Sequence, residues 1–186
     1  LTRRAPTLQA RARIGVVSDD ALWQYYDENL DALRDAGAAI IPLSILSSEP
    51  WPEIDGLYLG GGDLAPYAEA LAAHSDRKSE VRALIESGRP VYAEHSGYFY
   101  LGDSLACAGG HHKLAGVFPV SVSIGNKPAR LGYVEASITG ENPFYPVGFS
   151  FKGHEYHYAA IQVTAHPGSL EKSAGAARIE EPDGLV

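Results

Sequence analysis

Three stretches of the chain carry groups able to do chemistry. The first is VYAEHSGYFYLG, residues 91–102, where an apolar segment gives way to His95, Ser96 and Gly97 before an aromatic segment begins. An imidazole offers a base, a nucleophile or a metal ligand near neutral pH. A strand-to-helix corner with small residues beside its apex is where many α/β enzymes expose a reactive side chain. The small neighbour is needed because a Cβ there would collide with the adjoining strand and helix. Gly97, two positions after His95, meets that need and puts His95 at the apex. Ser96 falls one position past the apex and reads as a helix N-cap, a role its hydroxyl suits, rather than as a nucleophile.

The second stretch is LGGGD, residues 59–63. Gly60, Gly61 and Gly62 let backbone N–H groups come close enough to hold an anion or an oxyanion; the same run also makes an ordinary tight strand-to-helix turn. The third is GHEYHYA, residues 153–159. On a strand, alternate residues share a face, so Glu155 and His157 point one way and His154 the other. A carboxylate beside an imidazole is the usual pairing of orienter and base; it is also a common structural hydrogen bond or solvated strand face.

These groups need a frame. RIGVV (13–17), AAIIPLS (38–44), DGLYLGGG (55–62) and RPVYA (89–93) read as strands. ALWQYYDENLDALRDAG sets Leu22, Tyr26, Leu30 and Leu33 on one helical stripe stopped by Gly37, and DRKSEVRALIESG sets Val81, Leu84 and Ile85 on a helix closed by Gly88. The alternation predicts an α/β fold, a mostly parallel central sheet with helices on both faces. From about residue 113, LAGVFPVSVSIG, ARLGYVEASIT and GHEYHYAAIQVT predict strands and turns, partly antiparallel. In parallel sheets ligands bind at the carboxyl ends of strands, where the first two stretches fall.

Length and composition narrow the function. A chain of 186 residues suits one core, spanning residues 13–186, with weak periodicity over 171–186 that predicts a mobile or truncated tail. With 15 Lys+Arg against 23 Asp+Glu, the net charge of -8 would repel a polyanion, so nucleic acid is not an expected partner. The single Cys107 cannot form an internal disulfide and fits a reducing compartment. No apolar run approaches the roughly 20 residues that span a bilayer, so a soluble cytoplasmic protein without a membrane partner is expected. LTRRAPTLQARA, residues 1–12, reads as a linker or cut fragment, with a mitochondrial-type presequence as the alternative. No G-x-x-x-x-G-K-[ST] run occurs, so no P-loop ATP site is visible. Trp23, Tyr25 and Tyr26 read as core packing before ligand contact, and His111 and His112 as a solvated loop, because adjacent residues seldom converge on one ion.

Taken together and in order, from about Arg13 to about Tyr158, these segments resemble the glutamine amidotransferase domain of the cobyrinic acid a,c-diamide synthase family, a branch of the class I glutaminases. SDDALWQYYDENLDALRDAGAAIIPLS is similar to the family's opening strand, aromatic loop and first helix, and DGLYLGGGD to its glycine loop. VYAEHSGYFYLGDSL is similar to its A-E-C-G-G-x-x-Y-L elbow, and RLGY (130–133) and GHEYHY to later motifs. The resemblance implies a flavodoxin-like class I glutamine amidotransferase fold in which the elbow cysteine attacks the glutamine side-chain amide, forms a thioester and releases ammonia. It implies no cofactor in this domain. ATP and Mg²⁺ belong to an N-terminal P-loop ATP-binding domain, on the same or another chain, that activates tetrapyrrole carboxylates for amidation. A tetrapyrrole substrate and a homodimer are further expectations. The family's histidine falls on His157, its elbow cysteine on His95, and the glutamine and oxyanion pocket on Gly60, Gly61, Gly62, Ser96 and Gly97.

The departures matter as much. An imidazole cannot supply a thiolate, and losing a catalytic nucleophile costs about a factor of 10⁶ in a serine protease, so glutaminase turnover by the family's route is expected to be absent. Asp63, Leu64 and Ala65 follow the glycines where the family continues with Tyr, Pro and Glu, and Ser96 stands where it has a second elbow glycine. Cys107 is expected about three helical turns past the elbow, plugging a core or loop position. The chain ends at EPDGLV, where the family continues into a strand rich in Tyr and His; truncation or loss of that strand is expected. The leading expectation is a degenerate amidotransferase domain with a structural, binding or docking role. Two alternatives stand beside it. His95, His157 and Glu155 could hold Zn²⁺ or Fe²⁺ or run acid/base chemistry, or the pocket could bind a tetrapyrrole or another small molecule without reaction. The plainest reading is that His95 fills the old pocket and bonds to His157.

Overall fold

The computed structural model describes residues 10–141, 144–163 and 177–180, in two compact units that succeed one another at Leu101 and Gly102. Of the linker expected at residues 1–12, residues 1–9 lie outside the described residues, as do 171–176 and 181–186 of the tail, while Ala12 already opens the first strand and the Arg11 amide donates to the Gly37 carbonyl at 2.9 Å.

Along the first unit run β1 (Ala12–Val17), β2 (Leu22–Gln24), α1 (Asp27–Asp35), β3 (Ala38–Leu43), β4 (Gly56–Leu59), β5 (Gly61–Gly62), α2 (Ala68–Ala73), α3 (Ser75–Glu86), β6 (Val91–Ala93) and α4 (Ser96–Tyr100). Four of the strands form a parallel sheet in the order β3-β1-β4-β6, as their unbroken apolar runs predict. All four residues of β4 are buried, and the core gathers Val17, Ile45, Leu57, Leu59, Leu71, Val81 and Tyr100 around the sheet. Val81 and Leu84 are buried on α3, which Gly88 ends at a φ of 79°. A 3-10 turn, Ala65–Tyr67, and α2 follow the glycine run, ahead of the helix read from DRKSEVRALIESG.

The helix predicted from Leu22 begins only at Asp27, and none of its residues is fully buried. The cause is Asp19. Its Oδ1 accepts from the Ala21 and Leu22 amides at 3.0 and 3.1 Å, while Leu22 and Gln24 pair antiparallel with Gly62 and Gly61. The main chain of 21–24 is thereby committed to a carboxylate and a strand, leaving no first helical turn. Trp23 and Tyr26 consequently stand 62% and 64% exposed, against the core packing expected of them, and only Tyr25 turns inward. The other Asp19 oxygen, Oδ2, accepts from Ser44 Oγ at 2.7 Å and from the Ile45 and Leu46 amides at 2.8 and 3.2 Å, tying the carboxyl ends of β1 and β3 together.

The second unit is built of β7 (Gly102–Cys107), β8 (Gly110–Lys113), β9 (Phe118–Ile124), β10 (Arg130–Ile138), β11 (Ser150–His157), β12 (Ala159–Val163) and β13 (Ala177–Glu180). One sheet runs β12-β9-β7-β8, with β7 and β9 parallel and its other pairs antiparallel; a second runs β11-β10-β13, antiparallel throughout. Part of the tail expected to be mobile is therefore a paired strand, Glu180 to Ala177 lying against Glu135 to Ile138. Cys107 is not on a helix, because α4 stops at Tyr100; it is half-buried at the end of β7. His111 and His112 lie on β8 and not in a loop. No helix among the described residues is long and apolar enough to cross a membrane.

Candidate active site

The corner after β6 has the backbone expected of an elbow. His95 sits at φ 50° and ψ -120°, and among the described residues it is the one non-glycine with positive φ. Such a conformation costs about 1–3 kcal/mol and persists only where the surroundings impose it. Here they do. The Glu94 amide donates to the Leu59 carbonyl at 3.0 Å, and the Gly97 amide to the Gly60 carbonyl at 2.9 Å, so the residues on both sides of the apex are pinned to the end of β4. A Cβ on Gly97 would stand 2.6 Å from Leu59 Cβ and closer still to the Leu59 carbonyl, which is why glycine is required there. The His95 side chain is exposed, its ring 5.9 Å from that of Phe99.

Ser96 is not the N-cap of α4. His95 occupies that position, and Ser96 is the first helical residue, with its side chain turned into the protein. The sharp φ at His95 rotates the next residue inward, so the Ser96 hydroxyl donates to the Gly62 carbonyl at 2.6 Å and lies 3.0 Å from His95 Nδ1.

The glycine run packs closely against residues 21–25. A Cβ on Gly60 would meet Tyr25 Cζ at 2.6 Å, one on Gly61 the Gln24 Oε1 at 2.8 Å, and one on Gly62 the Ala21 carbonyl carbon at 2.8 Å. Nor is the Gly60 amide left for an oxyanion: it donates to the Tyr25 hydroxyl at 2.9 Å, and that hydroxyl donates in turn to the Val17 carbonyl. Close approach of the Ala21–Leu22 backbone thus accounts for Gly62, the Tyr25 ring and the Gln24 carbonyl crowd Gly60, the Gln24 side chain lies over Gly61, and the Gly60 amide expected to face an oxyanion is engaged by a phenol. Burial pushes the Tyr25 hydroxyl up to about 12, opposed by the Gly60 amide and reinforced by Asp19 and Glu94. Tyr58 packs edge-on against Tyr25 with ring centroids 5.1 Å apart and donates to Glu94; burial first, then Glu94, raises its pKa.

In the second unit Glu155 and His157 share the half-buried face of β11, as strand periodicity predicts. The His157 ring is held by its own chain and not by Glu155: Nδ1 lies 2.7 Å from the Ala159 carbonyl, an acceptor only, so Nδ1 carries the proton. Glu155 faces Arg130, with Oε2 4.0 Å from the guanidinium Nε. His154 is on the opposite face, its ring 5.4 Å from Tyr133. Among the described residues no group of three or more His, Cys, Asp or Glu side chains converges as a metal site would.

His95, Ser96, Gly97 and the three glycines therefore stand together in one unit, and Glu155 with His157 in the other. Asp19, Tyr58 and Glu94 were missed by sequence reasoning, and Tyr25 was read only as an aromatic for packing or ligand contact, not for its hydroxyl. One signal could have found two of them: a carboxylate just past the carboxyl end of a strand, as in Asp19 after β1 and Glu94 after β6.

Comparison with known proteins gives this geometry a context. A family model described as the CobB/CobQ-like glutamine amidotransferase domain matches residues 13–186. A cobyrinate a,c-diamide synthase of Magnetococcus marinus is 36% identical over 162 residues, which is 87% of this chain and 35% of that protein. Its namesake from Caldanaerobacter subterraneus subsp. tengcongensis is 36% identical over 174 residues, 88% of this chain and 38% of that protein. The chain thus spans little more than a third of these relatives. A glutamine amidotransferase of Thermotoga maritima superposes with a TM-score of 0.50 at 15% identity, over 84% of this chain and 64% of that one, a likeness of fold.

Proposed function

Because the chain belongs to the CobB/CobQ-like glutamine amidotransferase domain family, we propose that it is an amidotransferase-type domain that no longer hydrolyses glutamine and serves a structural or substrate-binding role. The observation that carries this reading is the imidazole at the positive-φ corner, where the family resemblance places a cysteine. Covalent hydrolysis of an amide needs an attacking atom that stays bonded while the amine leaves. Imidazole is a better leaving group than ammonia, so an adduct formed by His95 on a carboxamide carbon collapses back to reactants. Cys107, the chain's single thiol, sits at the end of β7.

In this reading the acceptor chemistry belongs to a companion domain. The relatives carry the name cobyrinate a,c-diamide synthase, and each is far longer than this chain. An ATP-binding P-loop domain, on the same or another chain, would bind ATP and Mg²⁺ and activate tetrapyrrole carboxylates in the cytoplasm. The corner after β6 would present a remodelled glutamine pocket to it.

The test is glutamate release from glutamine by the purified protein. The expected result is release at the level of the protein-free control. Release above that control, abolished in His95→Ala, would overturn the reading.

A further inference from the structure

Ser96 is 3% exposed, so its hydroxyl must find its partners inside the protein. The structure offers two, the Gly62 carbonyl at 2.6 Å and His95 Nδ1 at 3.0 Å. A hydroxyl has one proton to give, and a carbonyl oxygen can only accept. The shorter contact therefore takes the Ser96 proton. The contact with the imidazole can then be a hydrogen bond only if Nδ1 is the donor. We propose that Ser96 is a positioning residue that fixes the His95 ring as its Nδ1–H tautomer, so that Nε2 holds the lone pair whenever the ring is neutral.

The order of donation, from His95 to Ser96 to Gly62, runs one way and ends on main chain that cannot retreat. A Cβ on Gly62 would already overlap the Ala21 backbone, and Gly62 is paired with Leu22. Side chains that fix a histidine tautomer through one ring nitrogen decide what the other can do. With its lone pair on Nε2, His95 accepts a hydrogen bond from a ligand N–H or O–H. The inference deepens the proposed function and rests on it only in taking the corner as the site: loss of hydrolysis states what His95 does not do, and the tautomer states which of its atoms meets a ligand.

The experiment is a long-range ¹H–¹⁵N correlation spectrum of the histidine rings in ¹⁵N-labelled protein, above the pH at which they are neutral. His95 is assigned from the signals lost in His95→Ala. The expected pattern for His95 is a protonated Nδ1 and an unprotonated Nε2. Ser96→Ala and Ser96→Gly should each shift the ratio toward Nε2–H by about fivefold, the size one ordinary hydrogen bond sets, while Ser96→Thr keeps the wild-type ratio. His157, whose Nδ1 faces a main-chain carbonyl, should hold its pattern throughout. A wild-type His95 protonated on Nε2 overturns the proposal, and so does a ratio unmoved in both hydroxyl-free variants. Glutamate release reports separately on the loss of hydrolysis, so either idea can fail without the other.

Discussion

At the corner after β6, a Cβ added to Gly97 would run into the Leu59 backbone, and one added to Gly62 into that of Ala21; on the β10–β11 ribbon, a Cβ on Gly132 would meet nothing within 4 Å. Each region carries a histidine with Nδ1 engaged, but the surroundings differ. His95 stands on a strained backbone held by two strands and latched by a buried serine, whereas His157 lies on a ribbon whose other face exposes Leu131, Tyr133 and Tyr156. At the corner, position is imposed by backbone that has nowhere else to go. On the ribbon it is imposed by pairing register and by the bond of His157 Nδ1 to the Ala159 carbonyl, and at Gly132 a side chain can be added without meeting a neighbour.

Gly97→Ala should therefore have the largest effect, about 3 kcal/mol of lost stability or more, because the colliding atoms are main chain and cannot rotate away. Gly132→Ala should lie within about 0.5 kcal/mol of wild type. Thermal denaturation of the two variants is the direct measurement, and equal costs would erase the contrast. Asp19→Ala comes next. It removes the acceptor of four amides and of the Ser44 hydroxyl, only the Leu46 amide keeping Ser44 Oγ as a second partner, and should cost about 2–3 kcal/mol by chemical denaturation.

Tyr25→Phe should show a smaller effect with a pH signature. The folded Tyr25 hydroxyl is pushed up from its ordinary 10 to about 12, so the unfolded chain releases this proton at lower pH than the folded one. The contribution to stability is whole below about pH 10 and is lost as pH rises through about 12. Removing the hydroxyl should flatten that alkaline limb in stability curves measured between those limits, leaving the parts due to Tyr58 and Tyr100, which burial also raises. The smallest effect belongs to Trp23→Ala, expected within about 0.5 kcal/mol because the ring is 62% exposed.

The parallel sheet and the elbow were legible because each is written locally. Unbroken apolar runs mark β1, β3 and β4, and a glycine two positions past an imidazole marks the corner. The alternation on β11 was legible for the same reason, its half-buried residues falling on Glu155 and His157. What escaped was decided at a distance. Leu22, Tyr26, Leu30 and Leu33 carry a helical period, but β5 and Asp19 claim the backbone of Leu22 first. A serine before a helix reads as a cap until the φ of the residue ahead of it turns the hydroxyl toward Gly62. Likewise the aromatic segment after the elbow reads as a long helix, but only five residues keep that form before β7 begins.

The bonds that hold the corner run from Glu94 and Gly97 to the carbonyls of Leu59 and Gly60, and none of them involves the side chain of residue 95. The fold is therefore blind to the chemistry it displays there. An exchange at the apex can change what the site does while these backbone bonds stay in place, so they give no protection to a catalytic side chain at that position. The frame of such a site outlasts a change in the group it displays.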